Sequence, residues 1–212
     1  MQFFEVFHDT FKVRGAPWVP SILRGLERLP DCPECGAIRE RPAGEIGARV
    51  SANKRTKWMD VLGCGAYPLL IISDRVLETW RAEGVGVFPS CPVVFDGVVP
   101  ERLATTPQPT YSYLRGREMQ GATLDLEQSG YVIKRVCGSC GRNVMDIAAT
   151  DGRQNSTHPC KVIWEDTWTG APLFTTNLSP TFFLCTELIV ASVKRNGFTN
   201  FIFKPCVASR RA

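Results

Sequence analysis

The residues best suited to chemistry in this sequence lie in two short turns, Cys32 to Gly36 and Cys137 to Gly141, which read CPECG and CGSCG. We call them the first and second knuckle. A two-residue gap lets both sulfurs of one knuckle reach the same ion, and zinc takes four thiolates in closed structural sites. The glycine after each second cysteine can adopt a positive φ and turn backbone amides toward the anionic sulfurs. The predicted ligands of one structural zinc are Cys32, Cys35, Cys137 and Cys140.

Two alternative interpretations of these cysteines remain open at the level of sequence. A CxxC pair is also a dithiol redox motif or a source of disulfides, and a cysteine is often only a buried apolar residue. Redox pairs usually lie at a strand-to-helix junction behind an aromatic residue, whereas Asp31 and Val136 precede the two knuckles here. The spacing therefore favours the metal site.

The separation of the knuckles along the chain is long for a zinc site. Between Cys35 and Cys137 lie 101 residues, far more than a compact zinc finger contains. A metal held by both knuckles would close a long loop, whose entropy cost grows only slowly with length. We expect the metal to fasten two remote parts of one fold, and its loss to cost several kcal/mol of stability.

Composition places the chain among globular proteins. Of its 212 residues, 44% are hydrophobic and 22% are charged, and the formal net charge is +4. A chain of this length buries roughly 70% of its unfolded surface, so it does not need a metal merely to have a core. So small a charge does not point to nucleic acid or to an acidic membrane surface.

The remaining cysteines and the lack of long apolar runs indicate where the protein works. The first residues lack the basic segment and apolar run of a signal peptide, and the aliphatic cluster at residues 69–72 is too short to cross a bilayer. We expect a cytoplasmic protein that does not enter the membrane. Five cysteines outside the knuckles show no paired framework and are predicted to be reduced and largely buried: Cys64, Cys91, Cys160, Cys185 and Cys206.

Hydrophobic patterns predict an α+β fold with mixed or antiparallel sheets and a few helices. Residues 3–7 predict an opening strand, and residues 122–136 and 160–164 predict further strands. Residues 21–29 predict a short helix that ends at Pro30, with Ile22, Leu26 and Leu29 facing inward.

Two strand–helix segments, residues 68–88 and 182–203, share one layout. In each, a short strand leads to a capped amphipathic helix that a glycine ends. A constant shift of 113 pairs Ser73 with Thr186, Val76 with Ile189, Leu77 with Val190, Trp80 with Val193, and Gly84 with Gly197. We hypothesise an internal duplication within a single domain of residues 1–212. Its similar halves, about 1–104 and 122–212, would be joined by a proline-rich connector or exposed loop at 105–121.

No catalytic motif is evident. His158 and Cys160 could pair as base and nucleophile, but the sequence identifies no third orienting group, and a loop histidine beside a buried cysteine is the simpler interpretation. Phosphate-binding loops, dinucleotide fingerprints, nucleophile elbows and zincin helices are absent from the sequence. We therefore expect a protein that is not an enzyme.

Nucleic acid is the second candidate partner, because zinc knuckles occur in many nucleic-acid-binding proteins. The basic residues that would support it are scattered rather than gathered in one stripe: Lys54, Arg55, Lys57, Arg115, Arg117, Lys134, Arg135, Arg210 and Arg211. Solvated surface charge explains them adequately.

With the two knuckles, the FFEV start, the middle segment SDRVLETWRAEG and the ending ASVKRNGFTNFIFKP, the sequence resembles the myxobacterial double-CxxCG motif proteins. That family includes SitI-type immunity proteins, which protect cells against cognate toxins passed between kin. The likeness spans nearly the whole chain, and its most specific part is the knuckles. The second knuckle, CGSCG, lacks the more usual proline of CPxCG.

The resemblance implies a non-catalytic inhibitor that binds one protein toxin in the cytoplasm. Specificity would then lie in exposed loops, since loops vary without disturbing the core. Residues 105–121 and 164–168 are the predicted contact surfaces, the second because aromatic anchors dominate interface energetics.

Overall fold

Strands dominate the part of the chain that the computed structural model describes, residues 1–8, 17–36, 39–52, 57–65, 69–99, 101–141, 143–147 and 160–211. In chain order its elements are β1 (Phe3–His8), β2 (Trp18–Leu29), β3 (Arg39–Ser51), β4 (Val61–Cys64), β5 (Ile71–Ser73), α1 (Asp74–Ala82), β6 (Ser90–Val99), α2 (Glu101–Ala104), β7 (Tyr111–Leu114), β8 (Gln120–Asp125), β9 (Tyr131–Val136), β10 (Asn143–Ile147), β11 (Val162–Trp164), β12 (Leu173–Thr176), β13 (Phe183–Thr186), α3 (Glu187–Asn196), β14 (Phe201–Pro205) and β15 (Val207–Ser209). This mixed, sheet-rich arrangement with two longer helices confirms the coarse fold class.

Six strands close into a barrel in the order β2-β3-β6-β7-β5-β4. The β2–β4 and β3–β6 pairs are parallel, whereas the other barrel pairs are antiparallel. Apolar side chains fill the barrel because alternate residues of each strand face inward. Val19, Ile46, Leu62 and Ile71 are fully buried there.

The predicted helix at residues 21–29 is wrong, because this segment lies within β2. Its apolar residues recur with a helical spacing, but the backbone pairs along its length with β3, with three irregularities in register. Gly25 has φ +85, and a Cβ there would lie 2.2 Å from the carbonyl oxygen of Glu45. Long-range pairing thus overrides the local pattern.

Seven other strands form a second sheet in the order β14-β1-β13-β12-β8-β11-β15. The predicted opening strand is confirmed as β1, which lies between β13 and β14 and is antiparallel to both. The strands predicted at 122–136 and 160–164 are also present, as β8, β9 and β11. The N-terminal strand is therefore part of a sheet built otherwise from residues after 119.

The prediction of an exposed loop at residues 105–121 is wrong for residues 111–114. Residues 111–114 form β7 inside the barrel, where the Tyr111 and Tyr113 side chains are each 2% exposed. The Tyr111 hydroxyl donates to the Met59 carbonyl at 2.6 Å, and the Tyr113 hydroxyl donates to the Gly44 carbonyl at 2.9 Å. Amphipathic tyrosines thus fill the barrel and satisfy their hydroxyls within it. The division into two similar halves stays a prediction.

The two predicted strand–helix segments are both present, as β5–α1 and β13–α3. Ser73 and Thr186 occupy the N-cap positions, although neither side chain caps its helix. Gly197 ends α3 in the left-handed conformation at φ 60°, and Gly84 follows α1 at φ 70°. These glycines fit because they carry no Cβ.

One apolar cluster joins the two strand–helix segments, and it contains both members of several pairs related by the shift of 113. These pairs are Leu70 and Phe183, Ile72 and Cys185, Val76 and Ile189, Trp80 and Val193, and Val85 and Phe198. The Asn196 amide also donates to Glu83, 113 residues earlier, at 2.8 Å. The faces of α1 and α3 that the shift of 113 relates to each other therefore pack into one core, as the same surface of two identical subunits does across a two-fold axis. The duplication itself stays a hypothesis.

A buried carboxylate links the barrel to the chain after α3. Asp60, just before β4, accepts hydrogen bonds from the Thr199 amide at 2.8 Å and the Ser73 hydroxyl at 2.9 Å. Arg75 on α1 completes the group with an ion pair to Asp60 at 2.8 Å. A buried charge with this many partners fixes the relative placement of the elements that supply them.

Candidate metal centre

Both knuckles lie at the tips of antiparallel ribbons. The first follows β2 and precedes β3, and the second follows β9 and precedes β10. Near the first knuckle, residues 26–29 and 39–42 pair only with each other among the described residues, and β9 and β10 form a separate two-stranded sheet. Strand-to-strand connections are the usual setting of a zinc knuckle rather than of a dithiol redox pair.

The two knuckles adopt the same backbone turn. The Gly36 amide donates to the Cys32 carbonyl at 2.9 Å, and the Gly141 amide donates to the Cys137 carbonyl at 2.8 Å. Both glycines have positive φ, 64° and 68°. The positive φ expected from the sequence is therefore present in both turns, although only the first contains a proline.

The four cysteine sulfurs converge at one point. The Sγ atoms of Cys32 and Cys137 are 3.5 Å apart, those of Cys35 and Cys140 are 3.7 Å apart, and all four lie within 4.8 Å of one another. Zinc–sulfur bonds of about 2.3 Å in a tetrahedron place sulfurs about 3.8 Å apart, whereas a disulfide needs about 2.05 Å. The four sulfurs thus fit one tetrahedral ion, and the four cysteines could together hold it.

Burial and backbone donors act differently on the two innermost thiols. Cys32 and Cys137 are 2% and 1% exposed, and Cys35 and Cys140 are half-buried. Backbone amides of Cys35 and Glu34 lower the pKa of Cys32, whereas burial raises the pKa of Cys137. A bound cation would stabilise all four thiolates, since metal binding releases their protons.

A carboxylate that the sequence analysis did not single out crosses between the knuckles. Glu34 accepts hydrogen bonds from the Ser139 amide at 2.9 Å and the Ser139 hydroxyl at 3.1 Å, and it pairs with Arg135. The Ser139 backbone donor is the main reason that the pKa of Glu34 falls to about 2. The only sequence signal was an acidic residue in one knuckle and a basic one beside the other.

Of the other predicted functional residues, those that the structure describes are not part of the four-cysteine cluster. His158, Lys54 and Arg55 lie outside the described residues. Cys160 is exposed, so the prediction of largely buried thiols is wrong for it, and its thiol donates to the Pro205 carbonyl at 3.1 Å. Cys64 and Cys185 are buried, Cys91 and Cys206 are half-buried, and none of the nine cysteines forms a disulfide.

Among the scattered basic residues that bear on nucleic acid, four arginines in the described part of the chain have acidic neighbours. Arg115 pairs with Glu118, Arg135 with Glu34, Arg210 with Glu165, and Arg211 with Asp166. Such pairs reduce the positive potential that a phosphate backbone requires.

In the predicted contact segment at residues 164–168, Trp164 ends β11, residues 165–167 form a 3₁₀ turn, and Trp168 packs partly against the second sheet. The Trp168 ring lies edge-on to Phe3 with centroids 5.5 Å apart, and its indole N–H donates to the Ala171 carbonyl at 2.9 Å. Glu165 forms ion pairs with the N-terminal amine and with Arg210. Trp168 therefore contributes to the packing of the second sheet.

Comparison with models of known protein families gave no match, and comparison with curated proteins gave none either. Among the described residues, no helix combines the length and apolar character needed to cross a membrane.

Proposed function

We propose that this protein is a non-catalytic immunity protein, which binds and neutralises a cognate protein toxin delivered between kin cells. In this proposal, Cys32, Cys35, Cys137 and Cys140 hold one structural zinc ion, and the protein works in the cytoplasm. The observation that carries it is the convergence of four thiols from the two CxxCG knuckles. Those knuckles are also the most specific part of the resemblance to the double-CxxCG family.

The donor set supports a structural rather than a catalytic ion. Zinc prefers four thiolates in closed sites, whereas catalytic zinc keeps a position for water or substrate. With all four positions taken by sulfur, the ion would fix the two ribbons to each other and would have no position left to activate water or substrate. A rigid scaffold of this kind suits a protein whose task is binding.

The proposal is tested by co-expressing the chain in a sensitive host with the toxin candidate encoded beside its gene. We expect wild-type protein to restore growth and to co-purify with the toxin as a stoichiometric complex. Purified protein should also contain one zinc per chain by elemental analysis. The immunity role would be refuted if the chain protected the host neither from that toxin nor from the product of any other neighbouring gene. Salt-sensitive binding to RNA or DNA would favour the nucleic-acid alternative.

A further inference from the structure

A cleft of about 400 Å³ lies where the β2–β3 ribbon, the chain after β7 and the turn before β13 meet. Ligand pockets usually measure roughly 300–1,000 Å³ and often lie at junctions between structural units. Its apolar lining includes the buried side chains of Leu69, Leu114 and Phe183. These side chains form a floor against which an apolar group can pack.

Close backbone packing shapes one wall of the cleft in advance of any ligand. A Cβ at Gly116 would lie 1.8 Å from the Pro180 carbonyl oxygen, so only glycine allows the turn before β13 to approach. The Thr175 hydroxyl donates to the Gly116 carbonyl at 2.7 Å and holds the same contact from the sheet side. A wall fixed in this way lowers the ordering cost of binding.

Of the described charged groups that line the cleft, one arginine has no acidic partner within the described part of the chain. Its lining contains three arginines and two glutamates. Arg41 pairs with Glu27 at 2.8 Å, and Arg115 pairs with Glu118. Arg117, which is exposed, forms no ion pair with any other residue that the structure describes. Its planar guanidinium is suited to two parallel hydrogen bonds with a carboxylate.

We propose that this cleft binds an acidic segment of the partner protein. A carboxylate of that segment pairs with Arg117, and a neighbouring apolar side chain packs on the floor formed by Leu69, Leu114 and Phe183. An apolar floor beside a cationic rim fits a peptide that carries both groups better than it fits a free oxyanion. The identity of the partner as a protein toxin rests on the proposed function, and Arg117 would be a central anchor of the interface.

A first experiment tests the cleft without the toxin. The probes are an end-capped peptide Glu-Leu-Glu-Leu-Glu, its Lys-Leu-Lys-Leu-Lys counterpart and inorganic phosphate, each titrated into the ¹⁵N-labelled, metal-loaded full chain. We expect only the acidic peptide to shift the amide resonances of Gly116, Arg117 and Glu118, and Arg117→Glu to abolish these shifts. No shift with the acidic peptide, or equal shifts with phosphate, would overturn the proposal.

A second experiment measures the affinity of the toxin that the chain neutralises. Arg117→Glu should weaken binding about tenfold or more, whereas Arg81→Glu should change it less than about twofold. Arg81 is the matched control, because it lies exposed in the last turn of α1, outside the cleft, and its replacement changes the net charge equally. Equal losses in both variants would overturn the cleft as a contact while leaving the immunity role intact. A wild-type chain that binds no toxin would instead refute the immunity role, and the peptide experiment would still decide the cleft.

Discussion

Two junctions between segments remote in the sequence, one at the knuckles and one between α1 and α3, depend on different physical interactions. At the knuckles, two ribbons meet through four thiols and the bridging carboxylate of Glu34. At the junction of α1 and α3, the contact is a continuous apolar cluster flanked by the hydrogen-bonded carboxylates of Asp60 and Glu83. The comparison teaches that the apolar cluster packs without any knuckle residue, whereas the contacts described between the two ribbons are concentrated at the knuckles.

Loss of the metal should produce the largest effect, and it should be concentrated in the ribbons. We expect Cys137→Ser to reduce metal from one ion per chain to none and to lower the melting temperature by about 10 °C, because the binding free energy no longer stabilises the folded state. Hydrogen exchange should accelerate at residues 26–29 and 39–42 and in β9, while α1 and α3 stay protected. Cys160→Ser, which changes an exposed thiol, is the control and should keep its metal. Unchanged metal content in Cys137→Ser would contradict the site.

Truncating the core should give a slightly smaller but global effect. Trp80, on α1, is fully buried in the apolar cluster that α1 shares with α3, and the ring centroids of Phe88 and Phe201 lie 5.5 and 6.0 Å from its own. We expect Trp80→Ala to cost about 3 kcal/mol, or roughly 6–9 °C, because neighbouring rings fill only part of the cavity. Metal content should not change. Chemical denaturation followed by circular dichroism measures the cost.

Two further variants make the core prediction sharper. Trp80→Phe should cost less than Trp80→Ala, because the phenyl ring leaves a smaller cavity. Both variants remove an indole N–H that has no hydrogen-bond partner among the described residues. Leu188→Ala, on the exposed face of α3, removes a side chain that is 48% exposed and should cost less than about 0.5 kcal/mol. A loss of bound metal in Trp80→Ala would mean that the two junctions are not independent.

Glu5, which lies in the second sheet, should make the free energy of unfolding depend on pH. Its side chain lies in β1 and is 3% exposed, and burial raises its pKa to about 7 despite the nearby Lys161 and Lys204. The folded state therefore binds more protons than the unfolded state between about pH 4.5 and pH 7, so this group's contribution to stability falls as pH rises through that window. We expect Glu5→Gln to remove this dependence and to stabilise the protein by about 1–3 kcal/mol above pH 7. Denaturation curves at pH 5 and pH 8 would decide, and an equal gain at both would contradict the explanation.

The smallest expected effect concerns the bridge between the knuckles. Glu34→Gln removes the ion pair with Arg135 and weakens the bonds to Ser139, so metal affinity should fall a few-fold. The melting temperature should drop by less than about 2 °C, because exposed ion pairs contribute little to stability. Glu127→Gln, an exposed change away from the knuckles, is the control. Competition with a chromophoric chelator measures both affinities, and identical values would show that the bridge does not support the site.

Several features of this protein follow from the sequence alone because they depend on short-range spacing. Each CxxCG turn brings two sulfurs close together, and the glycine after each knuckle indicates the positive φ that closes the turn. The strand–helix–glycine segments around α1 and α3 were likewise predictable, since apolar periodicity and a terminal glycine are local signals. The opening strand β1 was also predictable from a local signal, the apolar run at residues 3–7.

Other features were decided only by the tertiary structure, since they depend on partners far along the chain. Residues 21–29 have a helical apolar pattern, yet pairing with β3 makes them a strand. Residues 111–114 look like part of a proline-rich loop, yet they complete the barrel. The bridge from Glu34 to Ser139 and the cleft beside Arg117 exist because segments remote in sequence meet, and no local pattern encodes such a meeting.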